Sequence, residues 1–256
     1  MGSHASSAGW RRAVAAGLVL SLVLGVVAAP AGAEEEGAKT ITVRVQEYVR
    51  RLNSLRTSED VYRIHEEVWL APDLYKAAEE DDACKALQAR LVKNIGTLSR
   101  HKDERVRKCA IEALGVLQHE DGAKYLKPYL KGVKEKPAKP LTLAAIDSAG
   151  GIAHESLATA LIKFLQDCPC PLATRRAVLA LGHYGQVKGK REEILLELLE
   201  TTLEEENFDR WKVLAKSVPG SLNRLTGRDV GTLDGWLELI EANRDDLGAL
   251  FPKEAG

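Results

Sequence analysis

Val106-Arg107-Lys108-Cys109-Ala110-Ile111-Glu112-Ala113-Leu114-Gly115 places its apolar residues three and four apart, the spacing of one helix face, and the pattern recurs. Leu141 to Gly150 ends in Ala145-Ile146-Asp147-Ser148-Ala149-Gly150, and Ala173 to Gly182 ends in Ala177-Val178-Leu179-Ala180-Leu181-Gly182. Ala110, Ala145 and Ala177 are therefore equivalent, separated by 35 and then 32 residues. Each stretch is followed by a turn and a second apolar segment: Ala123 to Leu130, Ser156 to Leu165 and Glu192 to Leu203. Periods of this length describe helical hairpins that cannot bury their apolar faces alone and must stack on their neighbours. The small residues Ala110, Ala145 and Ala177 let successive first helices approach closely, and Gly115, Gly150 and Gly182 are read as releasing the helix ends.

The flanks are helical too. A helix is expected from Thr42 to Leu55, and a second starting at Ser58-Glu59-Asp60 carries Val61, Ile64, Val68 and Trp69 on one face until Pro72 ends it. A third runs from Ala83 to Leu98, followed by a polar turn at His101 to Asp103. Beyond the repeats, Trp211, Val213, Leu214, Val218, Leu222 and Leu225 form an apolar face in which Pro219-Gly220 predicts a kink or break. Gly227 and Gly231 suit a tight turn, Thr232 suits a helix cap, and Trp236, Leu237, Leu239 and Ile240 suit a lid on the last hairpin. No stretch alternates with period two, so the fold class is all-α. Composition agrees, with aromatics at 5% and Ala, Leu, Glu, Lys and Arg dominant.

The repeated stretch resembles the HEAT-repeat family in its short bacterial form, whose pattern is roughly V-R-x-x-A-x-x-A-L-G followed by a second helix. Arg105 to Lys131 matches it well, Leu172 to Leu203 moderately, and Pro140 to Gln166 weakly, because Leu141-Thr142 stands where Val-Arg is expected. Leu222-Asn223-Arg224-Leu225-Thr226-Gly227-Arg228-Asp229, with Trp236 and Asn243, resembles a closing element at the end of exported bacterial HEAT proteins. The resemblance implies a right-handed α-solenoid that binds other proteins through its surfaces. It divides the chain into a signal peptide at 1–33, an N-terminal helical segment at 34–100, repeats at 101–205 and a C-terminal cap at 206–256.

Arg11 and Arg12 precede an apolar run from Ala13 to Ala29, which ends in Pro30-Ala31-Gly32-Ala33 with small residues at 31 and 33. This predicts export by the general secretory route with cleavage after Ala33, to the periplasm or the medium. No cysteine follows the run, as a lipoprotein anchor would need; the alternative is a retained anchor, since about 17 apolar residues is the short end of a membrane span. Formal net charge is -1, and removing Arg11 and Arg12 leaves 34 basic against 37 acidic side chains, or -3. Such a balance gives no reason to expect nucleic acid as a partner.

Charge is nevertheless grouped. Lys124, Lys127, Lys131, Lys134, Lys136 and Lys139 make 124–140 basic, with Tyr125 and Tyr129 beside them, whereas Glu79 to Asp82 and Glu204 to Glu206 are acidic. The lysines are the candidate contact surface for an acidic protein, set against the plainer reading of solvated helix faces and loops. Two other groups suggest chemistry. His119-Glu120 and His154-Glu155 are 35 residues apart, and one HEAT-repeat enzyme family, deoxyhypusine hydroxylase, binds two irons through His-Glu pairs. In that family the pair lies within the first helix of the hairpin, where this chain has Lys108-Cys109, Leu143-Ala144 and Arg175-Arg176; here the histidines fall in the turn and are read as caps of the next helix.

Cys168-Pro169-Cys170 could be a redox site, half of a metal site or an ordinary loop pair, and Cys84 and Cys109 are read as buried thiols. No nucleophile elbow or phosphate loop occurs. The leading expectation is a non-enzymatic envelope scaffold that binds a protein and needs no cofactor. The alternatives are a metal-binding or redox protein using His119/His154 or Cys168/Cys170, and a purely structural envelope component.

Overall fold

The structure, a computed structural model, describes residues 31–79, 85–131 and 138–252, with side chains from residue 41 onward and without that of Glu79. The chain divides into residues 1–37 and residues 38–256, and the second unit carries nearly all of the described structure. Every regular element among the described residues is helical, with no strand. The apolar run of the expected signal peptide lies outside the described residues, as do Cys84, Lys134 and Lys136. Among described residues no helix is long and apolar enough to cross a membrane.

Helix α1 (Ala31–Leu55) starts well before the expected Thr42 and buries Val45, Tyr48, Val49, Leu52 and Leu55 at helical spacing. Helix α2 (Val61–Trp69) is capped by Asp60 rather than Ser58, the carboxylate accepting the Arg63 amide at 3.0 Å. Pro72 does end α2, but it also opens a helix the sequence reading missed, α3 (Ala71–Glu79). Proline costs nothing in a first turn, where its absent N–H would have had no intrahelical partner. Helix α4 (Lys85–Leu98) leads through the His101 turn to α5 (Glu104–Leu117), capped by Asp103.

The second arm of the first hairpin is not the single helix expected from Ala123 to Leu130. It is a 3-10 turn at Glu120–Gly122, a short α6 (Ala123–Leu126) and another 3-10 turn at Lys127–Leu130. Pro128 cannot donate to the Lys124 carbonyl and so breaks the α ladder there. The remaining hairpin arms form as expected within a few residues: α7 (Pro140–Ile152), α8 (Glu155–Asp167), α9 (Pro171–Leu181) and α10 (Arg191–Leu203). Helix α11 (Phe208–Thr226) runs unbroken through Pro219-Gly220, where an interruption was expected. Its buried stripe of Leu214, Val218, Leu222 and Leu225 continues on both sides of the proline, so packing outweighs one lost hydrogen bond.

Helices α5, α7, α9 and α11 follow one another as packed neighbours, while α6, α8 and α10 form a second succession against them. Backbone-to-backbone approach sets the first row. A Cβ added at Gly115 would lie 2.7 Å from Ser148 Cα, one at Gly150 3.0 Å from Ala180 Cα, and one at Gly182 3.0 Å from Ser221 Cα. All three glycines are contact points; Gly182 also caps the end of α9, as expected, whereas Gly115 and Gly150 do not release their helices. Gly115 and Gly150 sit inside their helices, and α5 and α7 end in left-handed Gln118 (φ 51°) and Ala153 (φ 45°). Ser148 Oγ donates to the Ile111 carbonyl at 2.9 Å and Tyr184 Oη to the Ala149 carbonyl at 2.9 Å, tying each helix to the previous one.

The C-terminal segment closes the end of α11. Gly227 caps the helix at φ 72°, and Thr232 caps α12 (Leu233–Ala242) by accepting the Gly235 amide at 3.1 Å. Asn223 Oδ1 accepts from the Val230 amide and from Trp236 Nε1, each at 3.1 Å, and its Nδ2 donates to Asp229 at 3.3 Å. Arg228 donates to the carbonyls of Leu250 (2.8 Å) and Ala249 (2.7 Å), holding the final turn at Leu247–Leu250. Trp236 is fully buried. Asn223, Arg228, Asp229 and Trp236 are thus bonded within the chain, the arrangement of a lid.

Candidate functional site

Two turns and a short helix far apart in sequence converge on a groove of about 840 Å³ lined by Arg56 and Thr57, by Thr97, Leu98, Arg100, His101 and Lys102, and by Lys124 and Tyr125. Arg56 and Thr57 follow the last turn of α1, where the Ser58 amide bonds the Leu55 carbonyl at 3.0 Å. The central wall is the α4–α5 turn. Arg107 fixes it by donating from one guanidinium nitrogen to the carbonyls of His101 and Lys102, both at 2.8 Å. Tyr129 Oη donates to the Ser99 carbonyl from the other side. The third wall comes from α6, whose Tyr125 ring lies directly over Gly96; a Cβ there would be 2.2 Å from the ring.

The charges lining this groove are not equivalent. Lys102 Nζ lies 2.7 Å from Glu59, and that hydrogen bond holds the Glu59 carboxyl below its ordinary range. Lys124 Nζ lies 2.9 Å from Asp121; the hydrogen bond lowers the Asp121 carboxyl and raises the Lys124 ammonium. Arg56 and Arg100 are exposed, and neither guanidinium is hydrogen-bonded or ion-paired to a described residue. Among the described residues no carboxylate lines the groove.

Of the lysines read from the sequence, Lys124 lines the groove, with its ammonium 5.4 Å from the Tyr125 ring centroid. Lys127 and Lys131 are exposed nearby but do not line it, and Lys139 stands before α7. Arg56, Arg100 and Lys102 were not singled out by sequence reasoning, because nothing in two isolated turns indicates that they meet.

The histidines are placed as caps. His119 Nδ1 accepts the Asp121 amide at 3.2 Å and His154 Nδ1 the Ser156 amide at 3.1 Å; His101 does the same for Asp103 at 3.1 Å. His119 also packs edge-on against Tyr75, with centroids 6.1 Å apart. Cys168 and Cys170, on either side of Pro169 between α8 and α9, are both buried. Cys109 is buried in α5, and burial pushes its thiol up to about 12. Among the described residues no group of three His, Cys, Asp or Glu side chains is disposed to hold a metal.

The acidic run at Glu204 to Glu206 borders a separate concavity of about 460 Å³ with Glu197 and Glu200. Glu205 differs from its exposed neighbours, being half-buried with its carboxylate against Arg210, which also reaches the Leu165 carbonyl and Thr174 Oγ1. No protein-family model matches the chain, and no curated protein matches its sequence.

Proposed function

We propose that the chain is an exported, non-enzymatic scaffold that binds another protein, built as a right-handed α-solenoid of HEAT-type hairpins, with the groove between Arg56, Arg100 and Lys124 as its contact surface. The serial packing of α5, α7, α9 and α11 through glycines at equivalent repeat positions supports the solenoid reading. The export reading rests on Arg11, Arg12 and the apolar run ending at Ala33. One observation carries the function: a chain of net charge -1 gathers Arg56, Arg100, Lys102 and Lys124 around one concavity, with no carboxylate among its described lining residues and with both arginines unpaired among described residues. Local potential of one sign in a cleft steers and selects a partner of the other sign.

The test is cross-linking in the envelope fraction, comparing the wild-type protein with R100E/K124E, followed by mass spectrometry and binding assays with each purified candidate. A protein captured by the wild type, lost in the variant and bound directly in vitro supports the scaffold. Identical captures with both forms would remove the groove from the function. Stoichiometric iron or zinc that disappears in H119A/H154A would replace the scaffold by the metal reading. Sequencing the N-terminus of the secreted protein is expected to start at Glu34.

A further inference from the structure

Resting on that reading, we infer that the groove takes a short acidic peptide segment, with carboxylates on Arg56 and Arg100 and an adjoining side chain on Tyr125. Two of the four cations are already committed, Lys102 to Glu59 and Lys124 to Asp121. The two that remain are both guanidiniums, whose planar fork matches a carboxylate through two parallel hydrogen bonds. They come from different turns, Arg56 after α1 and Arg100 after α4, so one ligand must span both. The exposed Thr57 hydroxyl adds a neutral donor beside Arg56.

The volume and lining argue for a segment over a lone ion. A groove of about 840 Å³ falls in the range of sites that hold a multi-group ligand. Tyr125, part-buried over Gly96, gives it an apolar wall for which a small oxyanion has no use. The partners of the committed lysines limit the anion further. Glu59 and Asp121 bring negative charge beside Lys102 and Lys124, so a continuous polyphosphate would meet repulsion there, whereas two carboxylates seated on the arginines need not extend that far. A nucleic acid also draws its affinity from a row of phosphate contacts, which two free guanidiniums do not supply.

The test measures fluorescence anisotropy of a labelled hexaglutamate peptide on the full mature protein, with hexaglutamine as the neutral control. R56A/R100A is expected to weaken binding on the order of tenfold or more, as loss of charge-assisted pairs does. K127A/K131A removes the same charge outside the groove and is expected to change it by less than about twofold. G96A, which displaces Tyr125 without altering charge, is expected to weaken binding as well. Equal losses in both charge variants, or equal affinity for a single-stranded DNA dodecamer or inorganic phosphate, would overturn the peptide site in favour of general anion attraction. Absence of hexaglutamate binding would overturn it too while leaving a captured partner intact; peptide binding without any captured partner would instead sink the scaffold reading alone.

Discussion

Gly115 and Gly220 both lie inside helices, yet alanine at the two positions is expected to act in opposite directions. At Gly115 the new methyl meets the backbone of Ser148 as well as its side chain, so trimming the neighbour in S148A cannot make room. G115A should destabilise by about 1–3 kcal/mol, read as a lower urea midpoint, with no rescue by S148A. Gly220 is exposed with nothing within 4 Å of an added methyl. G220A should stabilise by about 0.5–1 kcal/mol through helix propensity and the unfolded chain. The cap residues His119, His154 and Thr232 could be read from sequence because capping is local. Gly115 and Gly150 were misread as helix ends because helix-to-helix distance is a tertiary quantity.

Asp103 belongs at the same level. Hydrogen bonds from the Arg105 side chain and amide hold its carboxyl at about 2, below the usual carboxylate value. A depressed folded value means that its contribution is present above the unfolded value near 4 and is lost as pH falls towards 2. D103N should therefore flatten the acid limb of a stability profile within that window and leave the alkaline limb unchanged. Cys109, with its thiol pushed up to about 12 by burial, should resist a thiol reagent at neutral pH until the protein unfolds.

Among elements, the α10–α11 connection depends on one side chain. Arg210 joins Glu205, the Leu165 carbonyl and Thr174 Oγ1, and both members of the ion pair are nearly buried, at 13% and 8% side-chain exposure. R210A leaves Glu205 without its partner and should cost about 3–5 kcal/mol in urea unfolding, with E205Q/R210A recovering part of the loss. Helix periodicity located most elements here. It failed at α3, α6 and α11, and each failure involves a proline: Pro72 begins a helix, Pro128 breaks one, and Pro219 is carried inside one by the buried stripe around it. A proline's local rule is readable, but whether packing overrides it is not.

Across residues 38–256, neighbour-to-neighbour packing makes stability depend on covered ends. Ending the chain at Gly227 removes α12 with the buried Trp236, the Asn223–Trp236 bond and the Arg228 clamp, uncovering the part of α11 that α12 packs against. The truncated protein should bind a hydrophobic dye and unfold at lower urea with a smaller m-value. Thr232 and the apolar residues around Trp236 made α12 legible in the sequence, whereas of the residues lining the basic groove only Lys124 and Tyr125 had been singled out. Arg56 and Arg100 are 44 positions apart and become partners only once α1 and α4 are packed.

The glycine contacts also have a mechanical consequence. Where backbone meets backbone at Gly115, Gly150 and Gly182, the α5–α7–α9–α11 row has almost no compressible material between its members. Under load these three contacts should therefore act as hard stops, resisting any closer approach of α5, α7, α9 and α11.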